Sequence, residues 1–359
     1  SIAGIKTSLG LSGQRVAIGL NAALTSQGTN SVAIGNLAGQ ILQSLNSVAI
    51  GFGAGRTQQG TGAIAIGGGA GETTQGENSV AIGNNAGDTQ QGTSAIAIGA
   101  SAGAATQGSG AVAIGVDAGR LTQGTSAIAI GDQAGEAIQG QYAIAIGRAA
   151  ANENQGTDAV AIGQSAGQVS QGNSAIAIGL TAGQTRQGAN AVSVGAYAGQ
   201  NTQQTGGIAI GYQAGQNTQG TDAIAIGISA GRTNQGTFGV AIGSEAGSLS
   251  QGTSSVAVGR LAGQILQGQA SVAVGRRAGV NRQGDDAVAI GSGAGFGTQG
   301  ASCVAIGNAA GQTAQGSGAI AIGVQAAEST QGQQCVAIGN SAGFQSQGSG
   351  AIAIGFSAG

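Results

Sequence analysis

A glycine that closes a short apolar run recurs every sixteen residues from Gly19 to Gly355, in 22 copies without an insertion or deletion. Strict spacing of this kind belongs to stacked repeats, in which each unit buries its apolar face only against its neighbours. Sixteen residues are too few for helical-hairpin repeats, which need more than about 30. The triplets before the glycine, V-A-I or I-A-I, read as a strand whose side chains alternate between two faces. Glycines at fixed intervals supply the corners. The expected fold is all-β: a parallel β-solenoid with one 16-residue coil per repeat and about 22 coils. Like residues then stack roughly 4.8 Å apart in register, which gives a rod roughly 105 Å long. Residues 1–14 read as an irregular leader or cap, and 15–359 as a single solenoid.

The columns of the repeat divide in two. Before the key glycine stand Val or Ile, then Ala (Ser193 is the exception), then Ile or Val. Ala follows the glycine by three in every copy, from Ala22 to Ala358, and Gln follows it by eight in all 21 complete copies, from Gln27 to Gln347. Seven columns vary, and they hold every aromatic residue and every charge except Lys6 and Arg15. Nine held columns and seven open ones make a structural partition, with no sign of a catalytic one.

The two Val/Ile columns are expected inside the coil, where burying each side chain is worth about 1.5–3 kcal/mol. The Ala22 to Ala358 column would fill the opposite wall. The Gln column is expected to form an amide ladder, each side chain bonding to the coils above and below. In the first ten coils its members are Gln27, Gln43, Gln59, Gln75, Gln91, Gln107, Gln123, Gln139, Gln155 and Gln171. The remaining Ala face, with Ala111 and Ala113 as examples, would form a flat apolar strip, uncommon on a monomer. It is expected to be the interface of a homo-oligomer, a trimer. A second layer lining the coil interior is the alternative. Cys303 and Cys335 share a column two coils apart, about 9–10 Å, which is beyond disulfide reach.

Chemistry is thin. The chain has no histidine, which removes Ser-His-Asp and Cys-His nucleophile systems, and two cysteines cannot make a Cys₄ zinc site. The acidic pair Asp285 and Asp286 beside Arg282 reads as a solvated surface cluster. Gly67 to Gly71 lacks the lysine of a phosphate loop. No catalytic residue, cofactor or metal is expected, and the chain is read as not an enzyme. A net charge of -2 offers no nucleic-acid surface, and no apolar run approaches the roughly 20 residues of a membrane helix.

The segments N-S-V-A-I-G at Asn46 to Gly51 and Asn78 to Gly83 resemble the head repeats of trimeric autotransporter adhesins, the YadA-like heads. The V/I-A-I-G core carries that resemblance along nearly the whole chain. It implies a left-handed parallel β-roll, three chains in one rod, and attachment to a host surface or matrix ligand. Similar repeats also resemble predicted surface and fibre proteins of large DNA viruses. The repeat here is longer than the usual adhesin head repeat, and its A-G and Q-G elements are its own. The expected role is a non-catalytic fibre or adhesin shaft, extracellular, on a cell surface or on a virion surface. Two alternatives stand beside it. One is a filament self-assembling end to end. The other is an ice-binding solenoid using the column of Thr29, Thr61, Thr93, Thr125 and Thr157, although Thr fills only 9 of its 21 copies.

Overall fold

The computed structural model describes residues 5–8 and 14–359. Much of the expected leader, 1–14, lies outside the described residues. The described part of it is a strand, Ile5–Ser8, paired antiparallel with the first solenoid strand, Arg15–Ile18. The chain divides into two compact units, Ser1–Ala177 and Ile178–Gly359. Each is an all-β parallel solenoid with one sixteen-residue coil per repeat, and no helix occurs among the described residues.

A coil holds two strands. In the first unit the long strands Ile96–Ile98 and Val112–Ile114 pair in parallel, with Ala97 opposite Ala113. The short strands Thr106–Gln107 and Thr122–Gln123 pair likewise. In the second unit Ile208–Ile210 pairs with Ile224–Ile226, and Thr202–Gln203 with Thr218–Gln219. Each of these parallel registers is offset by one repeat, so each residue faces its own counterpart. Backbone bonding continues through the corners: Ser101 N–H donates to the Asn84 carbonyl and Gly103 N–H to the Ala118 carbonyl, both at 2.8 Å. Peptide groups that a loop would leave to water are thereby paired inside the ladder.

The corner at the key glycine shows why no other residue serves there. Gly99 has a φ of 130°, and an added Cβ would collide with the carbonyl of Gly115 in the next coil. Both the backbone conformation and the coil spacing therefore exclude a side chain.

The interior reverses the expected assignment of faces. Ala97, Ala102, Ala111 and Ala113 have no exposure. Ile98 and Ile114 on the same strands are 36% and 37% exposed. In the second unit a continuous core of alanines runs from Ala198 and Ala209 to Ala342. Val and Ile thus lie outside, and the Ala strip is core, so it cannot be a subunit interface. The physical reason is width: the two strands of a coil lie so close that only methyl groups and one amide fit between them. Among the described residues, the largest fully buried side chains are glutamines, and Val280 is the one buried Val, Ile, Leu or aromatic residue.

Candidate functional site

Among the described residues the glutamine column is the one buried polar system repeated coil after coil, and it is a structural one. Gln107 Nε2 donates across the core to the Ile96 carbonyl at 2.7 Å, to the Ala111 carbonyl at 3.3 Å, and up the axis to Gln123 Oε1 at 3.2 Å. Gln219 repeats this in the second unit, at 2.7 Å to Ile208, 3.0 Å to Ala223 and 3.1 Å to Gln235 Oε1. The cross-core bond is the constant part. Gln27, Gln43, Gln59, Gln75, Gln91, Gln123, Gln139, Gln155 and Gln171 all make it, to the first Val or Ile of the facing long strand. The amide-to-amide bond is intermittent: it links Gln91 to Gln107, Gln123 to Gln139 and Gln155 to Gln171. In Gln43, Gln59 and Gln75 the buried amide oxygen has no partner. Gln203 shows how that need can be met: Ser193, standing where other coils have Ala, donates from Oγ to Gln203 Oε1 at 2.7 Å.

The cross-brace role was missed at sequence level, although a signal for it was present. In most coils a Gly four residues before the Gln packs on its amide (Ala23, Ala151 and Ala327 stand there in three coils), and a Cβ on Gly103 would lie 2.9 Å from the Gln107 amide carbon. The glycine of A-G and the glutamine are therefore one device, in which the glycine makes room for the amide, while the glycine of Q-G, as at Gly108, lies against the Gly124 backbone of the next coil.

Outside the core, chemistry stays sparse. Among the described residues no three metal-ligating side chains converge, and no helix is long and apolar enough to cross a membrane. A shallow depression of about 330 Å³ on the second unit is lined by Asn234, Ser250, Leu266 and Arg282 with the edge of the Gln column, and it brings no acid–base pair together. Cys303 and Cys335 are free and buried in the small-residue column. Cys303 Sγ donates to the Gly316 carbonyl at 2.9 Å, and burial pushes its thiol pKa up, which keeps it protonated and inert. Tyr197 and Tyr212 meet edge-on, with ring centroids 5.8 Å apart.

Two outer features are organised. One is a charged and amide column five residues after the key glycine, where several neighbouring coils are matched. Arg56 pairs with Glu72 at 2.9 Å and Arg120 with Glu136 at 2.6 Å, while Gln216 donates to Gln200 and Gln200 to Gln184. The second is the Val/Ile strip on the long strands of each unit, half-exposed and two side chains wide. No family model matches this chain, and no curated protein matches it.

Proposed function

We propose that the chain is a non-catalytic structural solenoid, the shaft of an extracellular or virion-surface fibre, built from copies that pack through their Val/Ile faces. The carrying observation is that strip: Ile66, Ile82 and Ile98 stand in one row in the first unit, and Ile210, Ile226 and Ile242 in the second, each more than a third exposed. Two half-exposed side chains per coil offer on the order of 100 Å². The coils of either unit then approach the roughly 800 Å² per partner of a standard stable interface. With the Ala and Gln columns inside and the Val/Ile columns packed against other copies, the variable columns are left for a ligand. The resemblance of N-S-V-A-I-G to trimeric adhesin heads supports three copies and an attachment surface.

Sedimentation tests this reading. The natural sequence is expected to sediment as several chains. Replacing Ile82, Ile98 and Ile114 together by Lys should give single chains with an unchanged β-sheet circular dichroism spectrum. A natural chain that stays single at micromolar concentration overturns the proposal.

A further inference from the structure

The two edges of the Val/Ile face differ in charge. One edge is formed by the two residues after the key glycine and the other by the two that precede the next strand's small opening residue. On the first edge stand Arg148, Arg260, Arg276 and Arg277 with Asp117, Asp132 and Glu245; on the second every charge is acidic, Glu77, Asp158, Asp222, Asp285 and Asp286. Two of the three arginines directly after a key glycine have an Asp ten residues on, at the opposite edge of the same coil: Arg148 with Asp158, and Arg276 with Asp286. No coil carries like charges on both edges. Ile228 and Phe238, spaced in the same way, are both apolar and more than half exposed.

Within one chain these partners cannot meet, because the face between the edges is about six residues wide, roughly 20 Å of extended strand. None of Arg148, Asp158, Arg276, Arg277 and Asp286 belongs to the ion pairs among the described residues, and all five are exposed. Arg56 and Arg120, by contrast, each pair with a carboxylate one coil away.

Resting on the reading that copies pack through the Val/Ile face, we infer that they lie parallel and unshifted in a closed ring, the arginine edge of one against the aspartate edge of the next. Arg148 then pairs with Asp158 of the neighbouring copy, and Arg276 with its Asp286. Rotational symmetry introduces no axial offset, so each pair differs in height by less than one coil's rise of about 4.8 Å, within the reach of an arginine side chain. Ile228 meets Phe238 by the same operation. An antiparallel pair would instead bring arginine edge to arginine edge. The ion pairs thus fix direction and register in an interface whose apolar strip, Val or Ile in every coil, would accept a slip by any whole number of repeats.

Cysteine cross-linking tests the arrangement, and the buried Cys303 and Cys335 leave the background clean. The full chain carrying Arg276→Cys and Asp286→Cys is treated with a short bis-maleimide, whose length replaces the reach of the arginine side chain, and run alongside each single variant. Chains linked only when both cysteines are present are the expected result, because the two positions are too far apart to bridge within one chain. Linking in the Arg276→Cys variant alone shows arginine edges in contact and overturns the inference. So does an absence of links in a double variant that still sediments as several chains. A natural chain that sediments singly instead removes the underlying reading, which keeps the two failures distinct.

Discussion

Ala209 and Ile210 are consecutive residues of one strand with opposite fates: the alanine has no exposure and the isoleucine is 38% exposed. The larger hydrophobe would ordinarily be the one placed inside. Here volume decides the face. The gap between the strands is fixed by a glutamine that spans it, Gln219 Nε2 reaching the Ile208 carbonyl at 2.7 Å, and a branched side chain does not fit beside that amide. Hydrophobic burial still operates, but it acts on methyl groups inside and on half-covered Val and Ile outside. The interior supplies rigidity, and the exterior keeps apolar area half-exposed.

The comparison is broken most severely by enlarging the inner residue. Ala209→Leu is expected to destabilise the second unit by about 3 kcal/mol or more through overpacking, whereas Ile210→Ala next to it costs about 1 kcal/mol or less. Denaturant titration of both variants followed by circular dichroism separates them, and equal losses would show that the two faces are equivalent. Gln219→Met comes next. It keeps the side chain's length but removes the bonds to the Ile208 and Ala223 carbonyls, for an expected loss of about 1–3 kcal/mol. Hydrogen exchange should then quicken at the amides of coils flanking position 219 before it quickens elsewhere.

The smallest effect lies on the surface. Burial and the nearby Glu72 carboxylate raise the pKa of Asp88 above its ordinary value. A raised carboxyl pKa means the folded state binds the proton more tightly, so ionisation above the usual Asp range lowers stability. Asp88→Asn is therefore expected to raise Tm slightly at pH 7. The gain should vanish as pH falls below the ordinary carboxylate range, where both states are protonated. Thermal melts at pH 7 and pH 3 check the sign.

Much of the coil was legible in sequence. The strands at Ile96–Ile98 and Thr106–Gln107, the glycine corners and the in-register stacking all follow from a sixteen-residue spacing that tolerates no insertion. Which face points inward did not follow. A V-A-I triplet alternates with the same period whichever side is buried, so periodicity leaves the choice open. The choice is made by the separation of the two strands, and that depends on Gln107 crossing to Ile96 rather than only stacking on Gln123. A preference for large apolar cores pointed the wrong way because the glycine and glutamine columns were read separately. The edge charges were visible as residues, but Arg276 and Asp286 acquire meaning only once Val and Ile face outward.

The key-glycine column has a consequence for how such a chain changes over generations. At Gly99, Gly115 and Gly131 any side chain would strike the carbonyl one turn further on, so each added turn also adds a site where a single base change is damaging. Copying or deleting a whole block of sixteen residues creates no such damage, because the new junction joins the same two surfaces as every old one. Descent in this chain is therefore expected to alter length by recombination more freely than it alters the turn itself, with novelty confined to the outward letters of each copied block.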